Sequence, residues 1–251
     1  MPRIITVHSF RGGTGKSNTV ANLATLLAVA GQRVGVVDMD IRSPSLHILF
    51  DLDAQAMRYT LNDYLRGACA IKEPAYDITA RVSAAIQGRI FLIPASSTPS
   101  QIAVAASENY DEGVLNDGLH QVIADLELDV LMLDTHPGLS EEGLLAMAVS
   151  NTCMLLLRPD QQDYYGTAIM LDVARQLDLP RPLLVVNNVP ANLDSDDVRA
   201  QVEQRYGCDV VAMLPHAEPM LGPGNTGIFV LRYSDHQLTA HLTALAATLT
   251  S

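Results

Sequence analysis

A glycine-rich segment near the N-terminus has the residue types needed to hold a phosphate group. It reads Ser9-Phe10-Arg11-Gly12-Gly13-Thr14-Gly15-Lys16-Ser17, between an apolar run and a stretch rich in alanine and leucine. Glycines let backbone N–H groups turn toward one anion, and the start of a helix adds positive potential there. We expect Lys16 to contact the β- and γ-phosphates of a bound nucleotide, and the Ser17 hydroxyl to ligate Mg²⁺. The residues expected to line the phosphates are Gly12, Gly13, Thr14, Gly15, Lys16, Ser17 and Asn18.

Acidic residues follow two later apolar runs. Asp38 and Asp40 follow Val36-Val37, and Asp134 follows Leu133. A single strand-end aspartate is more often a loop cap, but ligands of α/β sheets bind beyond the carboxyl ends of strands. Aspartates in that place commonly hold Mg²⁺, directly or through water. Together with the glycine-rich segment, they favour one site for a magnesium nucleotide.

These residues need a scaffold of buried strands joined by helices. The apolar runs that predict strands are Ile4–Val7, Val34–Val37, Ile90–Ile93, Val130–Leu133, Met154–Leu157, Leu183–Val186 and Val210–Leu214. Their unbroken apolar character is typical of strands covered on both faces of a parallel sheet. Helical patterns are Asn18–Ala30, Gly113–Leu126, Glu141–Val149, Thr167–Leu177, Asp196–Tyr206 and His236–Leu249. The alternation predicts an α/β fold, a doubly wound and mostly parallel sheet flanked by helices, as one domain over residues 1–251.

Composition narrows the class of protein. The 251 residues are 48% hydrophobic and 18% charged, with a net charge of −12. This composition is that of a globular chain, no apolar run has membrane-spanning length, and no signal peptide is evident, so we expect a cytoplasmic protein. The acidic surface suits basic partner segments better than nucleic acid. Three isolated cysteines, Cys69, Cys153 and Cys208, are expected to be reduced and mostly buried.

The glycine-rich segment resembles the deviant P-loop of the MinD/ParA family, which usually reads KGGxGK[ST]. Phe10 replaces the glycine that a strict GxxxxGK[ST] pattern requires, and Arg11 replaces the family's signature lysine. A departure at that lysine also occurs in the carboxysome-positioning, McdA-like branch. The resemblance covers nearly the whole chain, and it implies a P-loop ATPase that forms an ATP-dependent sandwich homodimer.

The resemblance also implies roles for individual residues. Asp40 would position the attacking water, Asp38 would belong to the Mg²⁺ and switch I network, and Asp134 would be the Walker B aspartate. Residues Thr135 to Gly138 resemble switch II, which senses the γ-phosphate. Arg11 would reach the partner's nucleotide; the alternative is an arginine that points to solvent. The remaining positions form the base site: Asn187 would read the adenine edge unless it only ends a strand, and Pro215 lies in the loop that closes over the base.

Several functions stay open at this level. The first is a switch that positions or segregates DNA or a protein organelle with an adaptor that stimulates hydrolysis, either with or without nonspecific DNA binding on the nucleoid. Five arginines could line a DNA groove or be scattered on the surface: Arg175, Arg181, Arg199, Arg205 and Arg232. A MinD-like membrane switch is disfavoured because the last helical pattern contains no lysine or arginine. Another ATP-dependent enzyme of the superfamily, such as a ligase, is the third alternative; a reductase is disfavoured because no cysteine lies between Asp134 and Ser150.

Overall fold

A single β-sheet forms the frame of the molecule. The structure, a computed structural model, describes residues 2–105, 111–180, 182–220 and 227–250. Eight strands lie in the order β3-β4-β2-β5-β1-β6-β7-β8, and all neighbours are parallel except the β3–β4 pair. The strands are β1 Arg3–His8, β2 Arg33–Met39, β3 Tyr76–Asp77, β4 Arg89–Ile93, β5 Val130–Thr135, β6 Thr152–Leu157, β7 Leu183–Val189 and β8 Val210–Pro215. The predicted α/β fold is confirmed.

Helices cover both faces of this sheet. They are α1 Lys16–Val29, α2 Leu46–Leu49, α3 Leu61–Leu65, α4 Thr79–Val82, α5 Pro99–Ala105, α6 Glu112–Asp125, α7 Glu141–Val149, α8 Gln161–Gln176, α9 Ser195–Tyr206, α10 Phe229–Arg232 and α11 Gln237–Thr250. Consecutive strand residues alternate between two cores: Val36 packs with α1 and α11, and Val37 packs with α6 on the opposite face. This burial on both faces explains why the central strands are continuous apolar runs. None of the described helices combines the length and the apolar character needed to cross a membrane.

Several details differ from the sequence prediction, including the short helices α2, α3, α4, α5 and α10, which no predicted pattern covers. The two-residue strand β3 pairs antiparallel with β4 at the sheet edge, and it is too short to produce a periodic pattern. Helix α1 begins at Lys16 and not at Asn18. Helix α8 begins at Gln161, six residues before the predicted start, because the Asp160 carboxylate accepts hydrogen bonds from the first free backbone amides of the helix.

Candidate functional site

The glycine-rich loop connects the central strand β1 to α1. Gly13 and Gly15 have φ angles of 78° and 93°, and Gly15 is the residue that precedes the first turn of α1. A Cβ atom at Gly15 would lie 2.4 Å from Nδ2 of Asn187, so a side chain there is excluded by space as well as by the backbone angle. The loop therefore presents backbone N–H groups and the positive end of α1 at the carboxyl edge of the sheet.

Lys16 lies inside this loop and is 7% exposed. Burial lowers the pKa of its ammonium group, and the nearby carboxylates of Asp134 and Asp40 partly offset that effect by raising it. The three groups therefore share one partly desolvated space. A cation placed there is suited to several phosphate oxygens at once.

Asp134 and Asp38 are fully buried on the neighbouring strands β5 and β2, opposite each other in register. Asp38 accepts hydrogen bonds from the backbone amides of Asp40 (3.1 Å), Ser45 (3.1 Å) and Leu46 (3.2 Å). Burial, and next the charge of Asp134, raise the pKa of Asp38 well above its ordinary value. Its hydrogen bonds tie the loop after β2 to the sheet, so its position is fixed from within the chain.

Asp134 is different, because neither of its carboxylate oxygens makes a hydrogen bond of standard geometry. Burial raises its pKa to about 7, and the Ser17 hydroxyl and the Lys16 ammonium lower it in part. A buried carboxylate without a partner is costly for the protein alone. Oxygen ligands from Asp134 and Ser17 fit a Mg²⁺ ion. The described residues contain no cluster of three or more His, Cys, Asp or Glu side chains that could hold a metal, so such an ion needs further oxygens from water or a bound phosphate.

An open cleft of about 410 Å³ lies over these groups. Its floor is the glycine-rich loop with Lys16, Ser17 and Asn18, and its walls come from the loop after β2, from α2 and from His136 and Pro137 after β5. Asp40 also lines the cleft, and its Oδ1 accepts hydrogen bonds from the Ser43 amide (2.9 Å) and from Nδ1 of His136 (2.8 Å). Sequence reasoning gave His136 no role, although it lies in the segment resembling switch II.

A second histidine, His8, lies beneath that segment at the end of β1 and is fully buried. Its Nδ1 lies 2.5 Å from Oγ1 of Thr135, and its Nε2 lies 3.0 Å from the carbonyl oxygen of Gly138. Burial lowers the pKa of His8 to about 3, so it is neutral. The Gly138 amide also donates to the carbonyl of Ser9 at 3.0 Å. Both ends of the Thr135–Gly138 segment are thus fixed to β1 and the glycine-rich loop. The one sequence signal for this contact is a histidine, His8, at the end of an apolar strand.

Arg11 and Phe10, the two departures from the family pattern, both contact α8. The Arg11 guanidinium, 34% exposed, forms ion pairs with Asp163 (3.1 Å) and Asp160 (3.4 Å) of its own chain. The Phe10 ring packs on Gly166, where a Cβ atom would lie 2.0 Å from Cδ1 of the ring. Arg158 binds the same two carboxylates, at 3.3 Å from Asp160 and 3.2 Å from Asp163. The outer half of the loop is therefore docked on the N-terminal part of α8.

The residues predicted for the base lie at the ends of β7 and β8. The Asn187 amide donates to the carbonyl of Thr14 (2.7 Å), and its oxygen accepts from the Asn188 amide (2.8 Å), so it supports the phosphate loop. Pro215 ends β8, next to His216, whose Nδ1 lies 2.5 Å from Oδ1 of Asn188. The adenine contacts of Asn187 and Pro215 stay predictions. The structure does bring Asn187 to the phosphate loop, whereas Arg11 points to α8.

The comparisons with known proteins agree with this arrangement. Residues 1–249 match the model of the ParA family, described as NUBPL iron-transfer P-loop NTPase. The septum site-determining protein MinD of Bacillus subtilis is 24% identical over 239 residues, covering 90% of this chain and 81% of that protein.

Two solved structures have the same fold. MinD complexed with Mg-ADP from Pyrococcus horikoshii superposes with a TM-score of 0.81 at 20% identity, covering 99% of this chain and 96% of that one. Apo McdA of Cyanthece superposes with a TM-score of 0.78 at 16% identity and full coverage of both chains. The family match spans almost the whole chain, and the glycine-rich loop and buried Lys16 line one cleft above the strand-end aspartates; this protein therefore belongs to the ParA family of P-loop NTPases.

Proposed function

We propose that this protein is a Mg-ATP-dependent ATPase switch that dimerises around bound nucleotide and, with an adaptor protein, positions or segregates a cargo. The observation that carries the proposal is the unpaired, buried carboxylate of Asp134 beside Lys16 and Ser17. The related MinD structure was solved with Mg-ADP, and the same ligand class suits this cleft. Bound Mg²⁺ would supply positive charge to the phosphates, held by Ser17 and Asp134, with Asp38 supporting the neighbouring loop.

The chain's own residues account for the steps around that ion. Lys16 and the backbone amides of Gly12 to Ser17 bind and orient the phosphates. Asp40 lines the wall of the cleft and is 15% exposed, and in this proposal its carboxylate orients the attacking water molecule. Hydrolysis by such a site is slow without a partner, and the acidic surface favours an adaptor with a basic segment.

Dimerisation is the finer part of the proposal, and it depends on Arg11. Two nucleotides that face each other bring several negative charges together, so a cation must offset their repulsion. In the single chain, Arg11 is already paired with Asp160 and Asp163. These pairs are partly solvated and each contributes about 1 kcal/mol or less, so the phosphates of a partner's ATP can compete for the guanidinium. The γ-phosphate supplies the extra charge, which is why ADP is expected to leave Arg11 on α8.

Two features bear on the alternative roles, membrane binding and DNA binding. Helix α11 buries Leu238, Leu242, Leu245 and Leu249 in the core against α1 and β8, so its apolar face is not available to a membrane. Of the arginines considered for a DNA groove, Arg175, Arg199, Arg205 and Arg232 each contact groups of their own chain, and Arg181 lies outside the described residues. The proposed switch does not include DNA binding.

The test compares oligomeric state by light scattering with a non-hydrolysable ATP analogue and with ADP. The wild type is expected to form a dimer only with the ATP analogue. Arg11→Ala should bind the analogue with nearly normal affinity in calorimetry but dimerise at least about tenfold more weakly, and Arg11→Lys should recover part of the dimer.

Lys16→Ala is the control without nucleotide, because it removes the central phosphate cation and should abolish Mg-ATP binding; Lys72→Ala, the other lysine of the chain, should change nothing. Unchanged ATP affinity in Lys16→Ala would reject the site itself. If Arg11→Ala dimerises like the wild type, Arg11 is not the cross-subunit cation and Arg158 becomes the residue to substitute.

A further inference from the structure

The contact between His136 and Asp40 has no counterpart among the roles considered so far. Both side chains line the phosphate cleft, with 27% and 15% of their surfaces exposed. Strands β2 and β5 run in parallel register up to the pair Met39 and Thr135, so Asp40 and His136 are the first residues beyond it on each strand. The register of the two strands therefore brings Asp40 and His136, which are 96 positions apart in the sequence, into contact.

The chemistry of the pair determines which nitrogen of the His136 imidazole carries a proton. An ionised carboxylate only accepts hydrogen bonds, so the 2.8 Å contact requires a proton on Nδ1 of His136. The Ser43 amide is the second donor, at 2.9 Å, and both donors use Oδ1. Among the described residues, no hydrogen bond involves Oδ2 of Asp40. One oxygen is thus held by two donors, and the other is left for a bond with water.

His136 can hold Asp40 in place because its own backbone is anchored. The Thr135 hydroxyl lies 3.0 Å from the carbonyl of Val7 and 2.5 Å from Nδ1 of His8. Gly138 is bonded to Ser9 through its amide and to His8 through its carbonyl, each at 3.0 Å. The loop that carries Asp40 is tied to the sheet through Asp38, which accepts the amides of Asp40, Ser45 and Leu46. The Asp40 carboxylate itself is held, among the described residues, by the Ser43 amide and by His136.

From this geometry we infer that His136 is a positioning residue that orients the Asp40 carboxylate toward the water that attacks the γ-phosphate. The inference rests on the proposed ATPase function and adds a side chain that joins the loop after β2 to the segment after β5. Without the imidazole, the Ser43 amide is the one hydrogen-bond donor to the Asp40 carboxylate among the described residues. A misplacement of about 1 Å at such a group is enough to slow chemistry strongly, while nucleotide affinity, which depends on Lys16 and the loop amides, is unaffected.

The test measures steady-state hydrolysis of Mg-ATP and binding of a non-hydrolysable analogue. His136→Ala should lower kcat about tenfold or more and leave KM and analogue affinity within about twofold of the wild type. His136→Asn keeps a donor near the Nδ1 position and should recover most of the rate. The double variant with Asp40→Ala should be no slower than Asp40→Ala alone, because the two residues act as a unit. His120→Asn, an exposed histidine on α6, is the matched control.

The inference is overturned if His136→Ala has the wild-type kcat, if His136→Asn is as slow as His136→Ala, or if the losses multiply in the double variant. Nitrogen-15 chemical shifts give a reading independent of turnover: His136 should be in the Nδ1–H tautomer in the wild type and lose that preference in Asp40→Ala. A wild type that binds ATP without hydrolysing it would reject the proposed ATPase and this role together. Normal hydrolysis with an indifferent His136 would reject this role alone.

Discussion

Asp134 and Asp163 are both buried aspartates at the same edge of the sheet, but their surroundings are opposite. Asp163 is 2% exposed, and it accepts hydrogen bonds from the Arg158 amide (2.8 Å), the Arg158 guanidinium (3.2 Å) and Arg11 (3.1 Å). Asp134 is fully buried and accepts no hydrogen bond of standard geometry from the described residues. The chain therefore satisfies the Asp163 carboxylate by itself but not that of Asp134, as expected if Asp134 holds the proposed Mg²⁺ ion. Asp163 should stabilise the fold, whereas an unsatisfied Asp134 should cost stability.

The largest expected effect comes from Asp134→Asn. Folding raises the pKa of Asp134 from 3.8 to about 7. At pH values between these two, the folded state therefore holds a proton that the unfolded state has lost. The contribution of Asp134 to stability therefore falls as the pH rises from about 4 to about 7 and stays low above that. Without Mg²⁺ and nucleotide, the asparagine variant should lack this fall and be more stable at pH 8, on the order of 3 kcal/mol.

Denaturant unfolding at pH 5 and pH 8 measures this difference. The gap between variant and wild type should widen with pH, whereas the exposed substitution Asp172→Asn on α8 should show no such trend. A variant that is less stable than the wild type at pH 8 would mean that Asp134 is satisfied within the chain, and the contrast with Asp163 would disappear.

Asp163→Asn should lower the free energy of unfolding, and by less than Asp134→Asn raises it at pH 8. The substitution keeps the shape of the side chain but leaves Arg11 and Arg158 without a buried counter-charge, which should lower the free energy of unfolding by about 2 kcal/mol. Asp172 is the matched control because its pair with Arg175 lies on the same helix and is exposed; its replacement by asparagine should cost less than about 0.5 kcal/mol. Equal effects at the two positions would show that the Asp163 cluster is no more than a surface ion pair.

The smallest effect tests whether packing also holds the loop on α8. Gly166→Ala places a methyl group against the Phe10 ring, so overpacking should outweigh the helix-forming advantage of alanine and destabilise the protein by about 1 kcal/mol. A Phe10→Ala background removes the ring but keeps the Phe10 Cβ, which would lie 2.7 Å from the added methyl group, so the same substitution should cost less there than in the wild type. Thermal and denaturant unfolding of the four proteins give the cost in each background. An equal cost in both would remove the Phe10 ring from the docking of the loop.

The sheet could be predicted from sequence because each central strand is buried on both faces, so its residues are apolar without interruption. Strand β3 could not, since two residues carry no pattern. The start of α8 was predicted too late because Tyr164, Tyr165 and Gly166 do not look helical, while the cap at Asp160 is a local hydrogen bond that overrides propensity.

In the site, Lys16, Ser17 and Asp134 were predictable because the spacing of the glycine-rich loop and the ends of parallel strands determine where they meet. His8 and His136 were not, because their roles depend on partners more than ninety positions away in the sequence. The pairing of Arg11 with Asp160 and Asp163 was hidden for the same reason. A sequence motif predicts the class of ligand that a loop binds. It does not predict the intramolecular contacts that hold the loop in the single chain without ligand.

The central place of β1 in the sheet determines when the site can form during synthesis. This strand is made first, yet both of its neighbours, β5 and β6, come much later, and Thr135 is bonded to Val7 across 128 positions of the chain. Until then, β1 is an apolar strand with two unpaired edges, which favours slow folding and exposes it to aggregation. A nascent chain that ends before Leu157 already contains the whole phosphate-loop sequence but has not yet acquired the complete frame that shapes it.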